Sequence, residues 1–256
     1  MISRVGDDDK GERIIDYLKK EGVNTETIQI DKEYPTSEVL VSLDESGNAS
    51  YEIPEPGAWD VIALTNDLKN RVAQSDLFVF GSLSSRNAVT RETLKTLLQT
   101  DVFKVFDVNL REPFYNKELL LDLLDYTDFA KFNDDELYKI ADYLECPYRG
   151  MEQCIAYIAS AKKLQTVCVT KGPFGAVLYN SGNFYYNSGY RIKVVDTVGS
   201  GDSFLASVLF KIFSGESYQE AINFACAVGA MVATREGANP QLSEQEIQEF
   251  MHPKAD

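Results

Sequence analysis

The stretch DTVGSGDSF (Asp196–Phe204) sets two carboxylates around three small residues, Gly199, Ser200 and Gly201, ahead of the apolar run SFLASVLFKIF. An apolar run of that kind predicts a buried helix, whose first turn has backbone N–H groups without an intrahelical partner and the positive end of the helix dipole. The small residues leave room for a phosphate to approach those N–H groups. Asp202 would stand in the same turn, where a carboxylate can take the proton of an attacking hydroxyl while the N–H groups stabilise charge on a transferred phosphoryl group. The same residues also describe a plain helix start, with Asp202 complementing the dipole.

Other stretches carry compatible chemistry. KFNDDEL places Asn133 and Glu136 three apart at a strand-to-helix junction. An amide and a carboxylate at that spacing share a helical face and could hold a hydrated Mg²⁺ against phosphate oxygens, or form a variant capping box. TKGPFGAVLY gives Thr170, Gly172 and Gly175 as a small hydroxyl-bearing turn, which a nucleotide phosphate could approach or which could simply connect strands. Asp107, Asn109 and Arg111 lie at the end of a predicted strand. There Arg111 is either a multi-donor contact for phosphate or sugar, or one member of a surface ion pair.

These residues need a frame. DLFVF, FKVFDV, DFAKF and TVCVT are short β-rich runs alternating with helical patterns near 90–99, 116–125, 134–144 and 151–163. That alternation predicts an α/β fold with a mostly parallel sheet covered on both faces, which binds ligands beyond the carboxyl ends of its strands. GAVLYN, NFYYN and RIKVV predict antiparallel strands at one edge. Before the alternating region come a helix over 10–21 stopped at Gly22 and a hairpin over 37–53. Helices over 200–213 and 217–234 close the pattern, the second opened by the capping box Ser217-x-x-Glu220.

Composition narrows the function. The net charge of −15, from 40 acidic and 25 basic residues, disfavours nucleic acid and anionic membranes as partners. An anionic ligand would have to be held by local devices such as helix N-termini and a metal ion. The single histidine, His252, lies in the C-terminal tail, so acid–base chemistry falls to carboxylates, Lys, Tyr or Cys. The 4 cysteines lack C-x-x-C spacing and predict reduced thiols in a cytoplasmic protein. No run reaches the roughly 18 apolar residues of a membrane span.

Taken together, the three motifs resemble the signature of the ribokinase-like (PfkB) carbohydrate kinases. Asp196–Phe204 matches Asp-Thr-x-Gly-x-Gly-Asp-x-Phe at every fixed position, Asn133–Glu136 matches Asn-x-x-Glu, and Thr170–Gly175 matches Thr-x-Gly-x-x-Gly, in the family's order. Ser207 stands where the family usually has Ala or Gly. The resemblance implies a three-layer α/β/α ribokinase-like fold forming a single kinase domain over 1–256, with a partial β-lid from strands within about 25–60. It implies ATP and Mg²⁺ as cofactors, K⁺ as a candidate, and Asp202 as the base acting on a sugar hydroxyl. Gly199, Ser200 and Gly201 would form the anion hole, and Asn133 and Glu136 would organise Mg²⁺ through water. Thr170, Gly172, Gly175 and Asn223 would border the nucleotide. Asp196 and Val198, through their carbonyls, and the TREGA segment would hold a monovalent cation.

PGAWDVI, FGSLSSRN and FDVNLREPFY resemble bacterial fructokinases, which makes fructose the expected sugar and Asp107, Asn109 and Arg111 its candidate contacts. Kinases of 2-keto-3-deoxygluconate or of another small alcohol share much of this pattern. The lid implies a homodimer as the candidate assembly. The chain opens at MISRVGDDDKGERI, similar to the family's GxVGxDxxG segment, and contains no Gly-Gly pair. The resemblance therefore implies an N-terminally truncated member lacking the family's first strand, first helix and much of its sugar pocket. A non-catalytic nucleotide-binding fragment is the alternative function that follows. A chain so shortened is expected to expose apolar surface, to aggregate, and to bind ATP better than sugar.

Overall fold

The computed structural model describes residues 1–43 and 49–253, and the chain divides into two compact units, Met1–Lys104 with Leu110–Asn116, and Val105–Asn109 with Lys117–Asp256.

In the first unit, β1 (Ser3–Gly6) pairs in parallel with β2 (Ile28–Asp31), joined through helix α1 (Asp9–Lys20). Asp8 caps α1, its carboxylate accepting from Gly11 N at 2.8 Å and from Thr36 N at 2.8 Å; these backbone bonds, the Thr36 one first, hold its carboxyl below the usual carboxylate range. The expected hairpin is present as β3 (Leu40–Leu43) and β4 (Ala49–Glu52), paired antiparallel; its turn lies outside the described residues. Helix α2 (Asn66–Ala73), strand β5 (Leu77–Gly81) and helix α3 (Ala88–Leu97) follow. Ile62, Leu68, Val72, Leu97 and Val102 form a core cluster of this unit.

Arg86 ties the base of the hairpin to the rest of the unit. Its guanidinium lies 4.2 Å from the Trp59 ring centroid and 4.8 Å from that of Phe114. It donates to both Asp60 carboxylate oxygens at 2.7 Å, to Ile53 O at 3.0 Å and to Pro54 O at 2.9 Å. A buried guanidinium needs such a full set of acceptors, and planar stacking on aromatic faces suits it better than it would a lysine. A largely apolar cavity of about 710 Å³ opens between β5, the ends of α2 and α3, and Met1–Ile2. None of the motif residues lines it.

In the second unit the strand order is β10-β9-β8-β7-β6. β6 (Phe103–Asp107), β7 (Phe129–Asn133) and β8 (Thr166–Thr170) run parallel, while β9 (Ala176–Asn180) and β10 (Asn183–Asn187) are antiparallel. Helices α4 (Lys117–Leu124), α5 (Asp134–Tyr143) and α6 (Met151–Lys162) fall where the periodicity puts them. β7 and β8 are buried on both faces, which is why they read as unbroken apolar runs. Helix α7 (Ser200–Phe213) packs on α8 (Tyr218–Ala233) closely enough that a Cβ at Gly229 would stand 3.3 Å from Ser200 O. The Ser217–Glu220 capping box of α8 forms as expected.

Two expectations change. RIKVV is not a strand: Val194 and Val195 are exposed, and Val195 N donates to Ala233 O at the end of α8 instead of entering a ladder. A further helix, α9 (Glu244–Met251), follows α8, opened by a Ser243–Glu246 capping box and docked through Ile247 on Ala227, Val228, Met231 and Val232. No helix among the described residues is long and apolar enough to cross a membrane.

Candidate active site

The parallel strands of the second unit bring the motifs to one row. Asn133 and Thr170, register partners, stand at the carboxyl ends of β7 and β8, and Asp107, the last residue of β6, is the register partner of Lys131 in the middle of β7. Thr170 Oγ1 donates to Phe132 O at 3.3 Å across that row.

Asp196–Phe204 builds a turn whose shape depends on its glycines. Gly199 caps α7 in the left-handed region at φ +78°, and a Cβ there would stand 2.3 Å from Ala238 O. The loop of the TREGA segment therefore rests directly on the turn, and Gly237 N donates to Asp196 Oδ2 at 3.2 Å. Asp196 Oδ1 accepts from Val198 N at 3.0 Å. Ser200 is engaged twice: its N–H donates to Thr197 O at 3.2 Å and its hydroxyl to Gly229 O at 2.9 Å. The N–H groups of Gly201 and Asp202 find no acceptor among the described residues, as the first turn of a helix dictates. The Asp202 side chain is exposed and makes no hydrogen bond or ion pair among those residues, so it does not cap its own helix.

Asn133 and Glu136 form the reciprocal cap that their spacing allowed. Asn133 Oδ1 accepts from Glu136 N, and Glu136 Oε2 accepts from Asn133 N, both at 2.8 Å. Glu136 is 6% exposed. No group of three or more metal-binding side chains occurs among the described residues. That donor set fits Mg²⁺, which keeps several waters and takes one or two carboxylates plus phosphate oxygens, and it does not fit an ion needing an all-protein cage.

Asp107 is buried at 8% exposure and accepts from Lys131 Nζ at 3.0 Å. Burial raises its pKa above the ordinary value against the opposing pull of Lys131, and the negative charges of Glu136 and Asp202 push in the same direction as burial. Asn109, two residues on, is half-buried with φ +35°. Arg111 belongs to the first unit, is exposed, and donates to Leu110 O at 2.9 Å. Lys131 is the functional candidate that sequence reasoning passed over. The signal was a lone lysine inside the apolar strand FAKF, where burial on both faces obliges a charge to be paired.

The nucleotide-side candidates occupy the same unit. Gly172 and Gly175 have φ +54° and +75°, and a Cβ at Gly175 would stand 2.1 Å from Asn187 O. Asn223 Oδ1 accepts from Asn187 Nδ2 at 2.9 Å and from Gln219 Nε2 at 3.1 Å, which fixes its amide on α8 against the end of β10. All 4 cysteines are buried and free, and His252 is the exposed C-cap of α9.

Residues 1–245 match the family model described as "pfkB family carbohydrate kinase". Among curated relatives, the chain is 28% identical to a probable fructokinase-5 of Arabidopsis thaliana, over all of this chain and 83% of that protein. It is 28% identical to a fructokinase of Vibrio alginolyticus, over 96% of this chain and 82% of that one. Among solved structures, a Vibrio cholerae fructokinase bound to fructose, ADP and calcium superposes with a TM-score of 0.83 at 21% identity, covering 98% of this chain and 84% of that one. A putative ribokinase II from E. coli, in its apo form, gives 0.83 at 23% identity, over 99% and 83%. The fold is ribokinase-like, and the chain belongs to the pfkB family of carbohydrate kinases.

Proposed function

We propose that this sugar kinase is an ATP-dependent fructokinase in which Asp202 is the base. The observation that carries the proposal is a solvent-facing carboxylate that, among the described residues, has no hydrogen-bond partner, one residue from the Gly201 N–H at the start of α7, which likewise has none among them. A carboxylate there can accept the proton of a sugar hydroxyl as its oxygen attacks the γ-phosphate in line. Within the turn Gly199–Gly201 the Gly201 N–H, with that of Asp202, is open to the charge on the transferred group, whereas the Ser200 N–H donates to Thr197 O. Asn133 and Glu136 would hold Mg²⁺ through water, and the ion would supply charge neutralisation at the phosphate oxygens. Thr170, Gly172, Gly175 and Asn223 would border the nucleotide. The carbonyls of Asp196 and Val198, with the 234–238 loop resting on their turn, would take a monovalent cation. Asp107 and Asn109 remain the candidates of this unit on the sugar side.

Fructose is favoured because these two curated relatives are named fructokinases, and the V. cholerae structure holds fructose and ADP. ATP with Mg²⁺ is bound in the E. coli putative ribokinase II. The test is an ADP-coupled assay with Mg²⁺ over fructose, other hexoses, 2-keto-3-deoxygluconate and adenosine. Fructose should show the highest kcat/KM. A preference for another acceptor would overturn the substrate, and absence of ATP-dependent turnover on all of them would overturn the activity.

A further inference from the structure

Lys131 breaks two local rules at once. It lies in the middle of a strand buried on both faces, with 6% of its surface exposed, where taking an ammonium out of water is unfavourable unless it is paired. It also stands at the wrong end of a helix. A Cβ on Gly201 would lie 3.4 Å from Lys131 Nζ, which puts the cation against the first turn of α7, where the dipole is already positive and the Gly201 and Asp202 N–H groups have no acceptor. Asp107 Oδ1, at 3.0 Å, offsets part of this cost. An ammonium has three donors, and Asp107 is the only acceptor for them among the described residues. A buried cation, two open donors and the open N–H groups of Gly201 and Asp202 converge, and an anion between them would satisfy all of these.

We propose that Lys131 is the cationic arm of the anion site, donating to an oxygen of the γ-phosphoryl group seated at the start of α7, and that Asp107 is the positioning residue that holds it there. Asp107, expected from the sequence to meet the sugar, accepts from Lys131 through Oδ1. The absence of a side chain at residue 201 keeps the ammonium uncovered toward the turn. The inference rests on the proposed phosphoryl-transfer site, and it concerns the γ-phosphoryl alone, not the base.

The test compares the affinities of ADP and of β,γ-imido-ATP, each with Mg²⁺, by calorimetry. In Lys131→Met the imido-ATP affinity should fall by about tenfold to a hundredfold, the loss of one charge-assisted hydrogen bond, while ADP binding stays as in the parent. Because this variant strands the Asp107 carboxylate, the pair Asp107→Asn/Lys131→Met is measured beside it and should show the same selective loss with recovered folding. Equal changes for both nucleotides, or no change for either, would overturn the role of Lys131. Asp107→Asn alone, which keeps the ammonium but frees it, should lose part of the same preference; a full preference would overturn the holding role. Asp202→Asn, run in parallel, should keep the preference for imido-ATP and lose turnover. Retained turnover there would sink the base assignment without touching the nucleotide comparison.

Discussion

Gly199→Ala and Gly172→Ala separate the backbone's demands from those of packing. Both positions lie in the left-handed region, at φ +78° and +54°, where a Cβ costs about 1–2 kcal/mol. Alanine also stiffens the unfolded chain, which returns about 0.4–1 kcal/mol. At Gly172 nothing lies within 4 Å of the added methyl, so the net loss should stay near 1 kcal/mol or below. At Gly199 the methyl would stand 2.3 Å from Ala238 O and 2.8 Å from Ala238 Cα, both backbone atoms that no rotamer change can move aside. Overpacking of that kind adds about 1–3 kcal/mol. The Gly199 variant should therefore be about 2–4 kcal/mol less stable than the parent by urea denaturation. It should also lose turnover, because relief requires parting the 234–238 loop from the turn that carries Asp202. Equal stabilities for the two variants, with turnover intact in Gly199→Ala, would refute the account of the turn.

Two further predictions concern the rest of the second unit. Glu246 is held down to about 2, first by the Ser243 N–H, then by the Ser243 hydroxyl and Arg235. A depressed folded value means that the contribution is complete above the ordinary carboxylate value of 4.5 and is lost as pH falls from there toward 2. Glu246→Gln should flatten the acid limb of stability in that window, and an unchanged limb would remove the capping box of α9 from the account. Burial raises the thiol of Cys168, and pushes those of Cys226 and Cys154 up to about 12 and about 11. A disulfide reagent at pH 8 should then label all 4 thiols only as the protein unfolds, and rapid labelling of the native protein would contradict the buried placement.

Much of the second unit was legible because its elements advertise themselves. Strands buried on both faces appear as short apolar runs between helical periods, and α7 spans the expected 200–213. The Ser217–Glu220 box opens α8, while the equivalent Ser243-x-x-Glu246 opens a helix that the hydrophobic pattern of a short amphipathic segment did not announce. β1, β2 and α2 were also passed over, the strands because four residues each give too little alternation to detect. RIKVV failed in the other direction, since β-branched residues fit a pleated surface only where a partner strand offers one. At the site, spacing made Asp202 and the Asn133–Glu136 pair candidates with plain capping as the alternative, and the family resemblance turned the reading toward phosphoryl transfer. Lys131 stayed hidden because its significance lies in the carboxylate opposite it on β6 and the helix start beside it, neither of which is near it in sequence.

The central claim is tested most directly by Asp202→Asn, with fructose turnover and imido-ATP affinity measured on one preparation. The side chain is exposed and makes no hydrogen bond or ion pair among the described residues, so the amide should leave folding and nucleotide affinity nearly as they were. Loss of a positioned base removes about 10²–10⁴ in rate, and kcat should fall by at least that range. A variant that binds imido-ATP normally and turns over at the parent rate would contradict the account.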